Sequence, residues 1–250
     1  MESKNGVTNK MKTDYSKSAT TEEIRTRFDQ DVERFANLDT GQLTTIDAPL
    51  TMELCTAAAK YINPAATELL DVGCGAGNYT LKMLSKTANL NCTLNDLSLP
   101  MLERAKERVT AQTTGTVTTI QSDMRELELP DSHFDIILAA AVLHHLRGDA
   151  DWELVFSKLY KSLKPGGSIW ISDLVAHDLP AVTQLFKDQY GAYLETLGGI
   201  EYREKVFNYI AYEDTPRSVN YQVDLLRRVG FKNIEILHKN SCFAAFGGVK

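Results

Sequence analysis

Asp71 sits in an apolar run, Leu69-Leu70-Asp71-Val72, and the chain then passes through Gly73, Gly75 and Gly77 at alternate positions before Asn78. Glycine admits backbone angles closed to other residues and lacks the Cβ that would hold a ligand off the main chain, so alternating glycines specify a close-approach loop. Amides at the start of a following helix can cradle an anion. A buried carboxylate beside a diphosphate, however, raises the energy of both, whereas beside an ammonium or sulfonium it is compensated. The spacing agrees. A dinucleotide fingerprint needs glycine at position 78, where Asn78 stands, and the chain reads G-x-G-x-G. These residues point to a nucleotide-like ligand carrying positive charge.

Other chemistry-bearing residues follow in order. Leu90 to Asp96 reads as a strand ending in an acid. Asp96 can accept both hydroxyls of a ribose there, or cap the helix that begins near Ser98 and Pro100. Ala139 and Ala140 end another strand with small side chains, which leaves room for a ligand at the sheet edge. His144 and His145 come directly after, as candidate catalytic groups or as structural histidines beneath the next helix. Asp173 and His177 flank the end of a later strand, read from the turn and strand at Leu163 to Ser172, and can face the same pocket, or the acid can cap the next helix. Tyr190, Tyr193, Tyr202, Tyr209 and Tyr212 read as packing rather than a substrate cage, and Arg25, Arg27 and Arg203 as solvated helix positions.

Positioning these residues requires alternating strands and helices. After a polar segment 1–20, expected to be a flexible tail, Thr20-Thr21-Glu22-Glu23 reads as a helix start, with Ile24, Phe28, Val32 and Phe35 at helical spacing up to Phe35. A second helix is expected from Asp47, as cap, to Tyr61, with Pro49 in its first turn. Beyond Pro64, strands alternate with helices at 78–86, 99–110 and 149–163, the pattern of a parallel sheet covered on both faces. Residues 176–216 are too long for a connecting loop and too patterned for disorder, so they read as a helical insertion over the site. A helix from Arg217 to Val229 stops at Gly230, and 231–238 with 242–248 alternate as an antiparallel hairpin. The expectation is one domain over 21–250, in which helices 21–62 and the insertion 176–216 form a lid.

Together these segments resemble the class I S-adenosylmethionine-dependent methyltransferases, whose first motif is an acid followed by G-x-G-x-G. The likeness covers residues 65 to 175 and includes Leu90–Asp96, Gln121-Ser122-Asp123-Met124, Phe134–Ala140 and Leu163-Lys164-Pro165-Gly166-Gly167. It implies a doubly wound α/β fold, with a mostly parallel seven-stranded sheet completed by the C-terminal hairpin. It also implies S-adenosylmethionine as cofactor and S-adenosylhomocysteine as product. Carried over residue by residue, Asp71, Gly73, Gly75 and Gly77 would hold the methionine moiety and Asp96 the ribose. Asp123 would accept from the adenine amino group with Met124 packed on the ring. Leu97 would cover the other adenine face or belong to the core, and Ala140 would border the ligand. His144 and His145 stand where the family commonly places acceptor or cofactor contacts. The tail from Cys242 and the long insertion are diffusely similar to the subgroup containing the carboxymethyl transferase that acts on tRNA wobble uridine. That subgroup holds an extra cofactor carboxylate with an arginine, for which Arg203 is a counterpart whose intervening lengths do not align.

Composition bounds the rest. The 250 residues are 43% hydrophobic with a net charge of −6, which disfavours an extended polyanion-binding surface while leaving a local RNA-binding patch open. The longest apolar run, near Ile136 to Leu143, is far too short to span a bilayer, and the N-terminus lacks the apolar core of a secretory signal. Cys55, Cys74, Cys92 and Cys242 form no C-x-x-C pair or disulfide framework, which fits a reducing, cytoplasmic setting. Neither they nor the scattered histidines show metal-ligand spacing, so no metal is expected. The expected reaction is in-line methyl transfer to a small acceptor, with a tRNA-modifying enzyme and a non-catalytic cofactor-binding protein as the alternatives.

Overall fold

In the computed structural model, which describes residues 18–250, local sequence sets most boundaries. Thr20 opens α1 (Thr21–Asp29) with a full capping box: its hydroxyl accepts the Glu23 amide while the Glu23 carboxylate accepts the Thr20 amide. The expected single helix to Phe35 is broken. The chain turns at Gln30 and Asp31 into α2 (Val32–Ala36) and a last turn, α3 (Leu38–Gly41), and this break folds the apolar face around a cavity. Ser18 to Thr20, part of the expected tail, are held in place. The Ala19 amide donates to Tyr212 O and Ala19 O accepts from Arg147.

α4 (Ala48–Ile62) carries Pro49 in its first turn as expected, but Asp47 makes no cap. Its carboxylate accepts from His238 and Asn240 instead, both at 2.8 Å. β1 (Glu68–Val72), α5 (Asn78–Leu84), β2 (Asn91–Asp96), α6 (Leu99–Thr110), β3 (Val117–Gln121), β4 (Phe134–Ala140), α7 (Asp149–Ser162) and β5 (Leu163–Leu174) follow in alternation. The insertion is α8 (Pro180–Glu213), bent where Gly198 and Gly199 leave helical geometry. α9 (Val219–Val229) is capped by Ser218 and ends at Gly230, and β6 (Asn233–Asn240) and β7 (Phe243–Val249) complete the chain.

The seven strands form one sheet in the order β3-β2-β1-β4-β5-β7-β6. β1 to β5 run parallel, and β7 lies antiparallel between β5 and β6. Strand alternation divides the core between two faces. Leu69, Ile136, Leu138 and Trp170 pack with Cys55, Met83 and Leu102 of α4, α5 and α6. Leu70, Ile137, Ile169 and Ile171 pack with Trp152, Phe156 and Leu226 of α7 and α9. A sheet covered on both faces needs apolar strands, and these are buried along nearly their whole length. β1 leads to β2 on one side while β4 pairs on its other, so the chain reverses winding direction there. The loops leaving β1 and β4 diverge and open a crevice at their carboxyl ends.

Candidate active site

A cavity of about 570 Å³ opens at this crevice, roofed by α1–α3 and by the facing side of α8. Asp71, Gly73 and Gly75 from the β1 loop, Asp96 and Leu97 after β2, Asp123 and Met124 after β3, and Ala140, His144 and His145 after β4 all line it. Gly77 is not on its wall. A Cβ there would meet Val109 and Ala105 of α6 at 3.2 and 3.3 Å, and with φ at +83° Gly77 serves the start of α5 against α6.

The other two glycines differ in kind. Gly75 has φ +51° and a Cβ built on it meets nothing within 4 Å, so its bare face looks into open cavity. Gly73, at φ +63°, would drive a Cβ to 2.2 Å from Val142 Cγ2, which ties the β1 loop to the β4 loop. Ala141, the residue before Val142, also holds a left-handed φ of +52°, with its amide donating to Ser172 O at 2.8 Å. A non-glycine residue in that region carries local strain, a feature concentrated at functional turns.

Asp71 is 1% exposed and accepts a 2.6 Å hydrogen bond from the neutral Thr80 hydroxyl of α5. Burial pushes its carboxyl up to about 7, and the nearby Asp96 charge adds to the rise. Asp96 accepts the Gly75 amide at 2.8 Å and the Ser98 amide at 2.9 Å. Burial still raises its carboxyl above the ordinary range despite those donors. Ser98, not Asp96, supplies the side-chain cap of α6, through the Met101 amide.

Asp123 is already engaged: Arg125 bonds it through both its guanidinium and its amide. Burial works against the carboxylate, but the arginine outweighs it and holds the group below the usual range. Arg125 also reaches the Thr21 hydroxyl at 2.9 Å and so links this edge to α1. An arginine two residues downstream was the only sequence signal for this pairing, and sequence reasoning passed over it.

Around the histidines the sequence reading was least complete. His144 Nδ1 is hydrogen-bonded to the Asp173 carboxylate, whose Oδ2 accepts the amides of Leu143 and His144 at 2.8 and 3.2 Å. Burial opposes a charge on His144, yet the Asp173 and Asp214 carboxylates together lift it to about 9. Asp214 caps the end of α8, and the Thr215 amide next to it donates to His144 O at 2.7 Å, which pins the helix terminus to the histidine turn. Asp214 Oδ1 stands 3.2 Å from His145 Nδ1. No spacing in the sequence pairs residue 214 with 144 and 145.

Several candidates lie elsewhere. His177 stacks on Phe186 and bonds Ser241 O. Arg203 is held by Glu195 and Glu204 away from the cavity. Arg27 does reach the wall, bonded at 2.6 Å to the buried Glu213. Of the five tyrosines, Tyr190 and Tyr209 line the cavity, while Tyr212 is exposed. All four cysteines are free, and among the described residues no helix is long and apolar enough to cross a membrane.

The residues present fit a cationic, ribose-bearing ligand. Two carboxylates with raised affinity for protons, Asp71 buried and Asp96 half-buried, face a cavity beside a glycine whose missing Cβ leaves the backbone open. A positive charge there removes the cost of ionising them.

Comparisons with known proteins agree in fold and in family. Residues 69–167 match the family model described as a methyltransferase domain. A carboxy-S-adenosyl-L-methionine synthase of Nautilia profundicola is 27% identical over 184 residues, covering 72% of this chain and 75% of the relative. A demethylmenaquinone methyltransferase of Listeria monocytogenes is 26% identical over 189 residues, 74% and 78% of the two chains. Among solved structures, human N-acetylserotonin methyltransferase in complex with its methyl donor superposes with a TM-score of 0.60 at 18% identity, over 93% of this chain and 60% of that one. The Haemonchus contortus phosphoethanolamine N-methyltransferase 2, bound to phosphomonomethylethanolamine and S-adenosylhomocysteine, gives 0.56 at 22%, over 84% and 46%. The chain thus spans about 60% or less of the length of these two structures.

Proposed function

The chain belongs to the class I S-adenosylmethionine-dependent methyltransferases, and from that premise we propose that it methylates a small, largely apolar acceptor carrying an ionisable oxygen or nitrogen. One observation supports this above the others. The buried Asp71 and half-buried Asp96 share a cavity with the His144, His145 and Asp214 group and with the apolar side chains of Phe28, Phe35 and Tyr209. Acidic and apolar walls in one chamber suit a cationic donor beside an apolar molecule with a polar head.

S-adenosylmethionine, when bound, supplies an electrophilic methyl group on a cationic sulfur. The protein's part is alignment and exclusion of water, because in-line displacement asks for reacting atoms held within about 3–3.5 Å. Asp71 provides negative charge, Asp96 fixes the glycine loop through the Gly75 amide, and Met124 and Leu97 offer apolar surface for a base. Phe28 and Phe35, from α1 and α2, close the cavity from above and touch each other at a centroid distance of 5.4 Å. His145 meets Phe28 edge-on at 5.9 Å, so the acceptor's polar group and its apolar body have adjoining walls.

A carboxylated donor is disfavoured, since Arg203, the counterpart suggested by sequence, has its charge matched by two glutamates. The net charge of −6 likewise weighs against tRNA as acceptor. Incubation with S-adenosylmethionine and, separately, hydroxylated aromatic compounds, amines and bulk tRNA should yield S-adenosylhomocysteine with a small molecule. Turnover on tRNA alone would replace this reading, and tight donor binding with no turnover on any class would leave a non-catalytic binding protein.

A further inference from the structure

Three side chains on the cavity wall place ligating atoms within the reach of a single ion. His144, His145 and Asp214 each offer one, all within 4.8 Å of one another. Asp214 Oδ1 is 3.2 Å from His145 Nδ1 and 3.7 Å from His144 Nε2. Ligands bound at about 2.0–2.1 Å around a tetrahedral ion lie roughly 3.3 Å apart. The Asp214–His145 edge matches that spacing, the Asp214–His144 edge is about 0.4 Å longer, and the His144–His145 edge is within 4.8 Å.

Two further features point to an ion rather than to hydrogen bonding alone. Both ring nitrogens of His145 and Oδ1 of Asp214 are buried without a hydrogen-bond partner among the described residues, and the Asp214 side chain is only 4% exposed. Buried polar atoms left unpaired are costly, and a cation held between His145 Nδ1 and Asp214 Oδ1 would relieve those two at once. In addition, Asp173 holds His144 by Nδ1 and is itself fixed by three backbone amides, those of Leu143, His144 and Leu174. That leaves Nε2 as the free ligating atom, in the carboxylate–imidazole arrangement that orients metal-binding histidines. The two carboxylates, Asp173 and Asp214, together balance a divalent charge.

We propose that His144 Nε2, His145 Nδ1 and Asp214 Oδ1 bind a divalent first-row transition-metal ion, zinc in the first instance, with a coordination position left open toward the cavity. Two imidazoles and one carboxylate suit zinc, cobalt or ferrous iron better than magnesium or calcium. Three protein ligands with a vacant fourth position is the pattern of a reactive rather than a structural ion. The open position would hold the polar atom of the acceptor. Only that last assignment rests on the methyl-transfer reading, since the ion site stands on its own three side chains.

The test uses full-length, tag-free protein stripped with a chelator. Titration with Co²⁺, followed by its visible absorption, and with Zn²⁺, followed by competition with a chromophoric chelator, should show one ion per chain. Asp214→Asn and His145→Ala should each weaken binding at least about tenfold and remove the Co²⁺ bands. His238→Ala, at a histidine outside the cavity, should leave both unchanged. Wild-type protein that takes up no stoichiometric ion, or variants that bind it as wild type does, would overturn the proposal. Calorimetry with S-adenosylhomocysteine on the same samples separates the two readings: ion binding without nucleoside binding keeps the metal site and removes the methyltransferase assignment.

Discussion

The Asp96 carboxylate accepts the Gly75 amide at 2.8 Å, so the acid at the end of β2 shapes the glycine loop that leaves β1. One side chain thus does two jobs: it offers an acceptor surface to the cavity and sets the bend on which the ligand would rest. Asp96→Ala should weaken S-adenosylhomocysteine binding by about 1–3 kcal/mol and lower the melting temperature, because the Gly75 and Ser98 amides lose their partner. Unchanged affinity by calorimetry would remove Asp96 from the binding surface.

Gly73 and Gly75 should fail differently when substituted. Gly75→Val puts a branched side chain into the open cavity and should abolish cofactor binding, at a folding cost limited to the left-handed backbone, about 1–2 kcal/mol. Gly73→Ala collides with Val142 and should chiefly destabilise the protein. Thermal unfolding and calorimetry on the pair decide it. Tight binding by Gly75→Val would mean that the ligand does not cross this loop.

Asp71 should couple binding to pH. Burial raises its carboxyl to about 7 in the free protein, so its contribution to folding stability is fully present below the unfolded value of 3.8 and is lost as pH rises through about 7. A cationic ligand favours the ionised form, so affinity should increase between pH about 6 and 8 with release of a proton. The groups facing Asp71 are the Thr80 hydroxyl, Asp96, Cys74, Tyr79 and Cys92. Burial raises every titratable group among them, and Asp96 is the other carboxylic acid, the thiols and the phenol being pushed further above their already higher ordinary values. In Asp71→Asn the Thr80 hydroxyl keeps an acceptor, and proton release measured in two buffers should fall; full retention would assign it to another group.

The roof depends on a nearly buried ion pair. Arg27 bonds Glu213, which is 6% exposed, across 186 positions of chain. Arg27→Met leaves that carboxylate without its cation and should cost about 1–3 kcal/mol in denaturant titrations. It should also speed proteolysis within α1. If neither changes, the Arg27–Glu213 pair does not hold α1 over the cavity.

Local chemistry made much of this protein legible from sequence. The alternation of strand and helix, the capping box at Thr20 and Glu23, the helix stop at Gly230, and the acid and glycines at the end of β1 depend on residues a few positions apart. Their physics is short-range, so spacing records it. Asp47 shows the limit: a good cap by type, it pairs instead with His238 and Asn240, which only the folded chain brings near.

The sequence by itself determined the strand–helix alternation, the glycine loop and the acids at the strand ends, because backbone conformation and hydrophobic period are written locally. Tertiary structure alone decided that α1 breaks before α2 to wrap the cavity and that Gly77 packs against α6 rather than lining the cavity. It also decided that Arg125 holds Asp123 and that Asp214 arrives beside His144 and His145 at the end of a bent helix. Those outcomes are set by which side chains meet once the two faces of the sheet are covered, and packing between distant segments leaves no period in the chain to read.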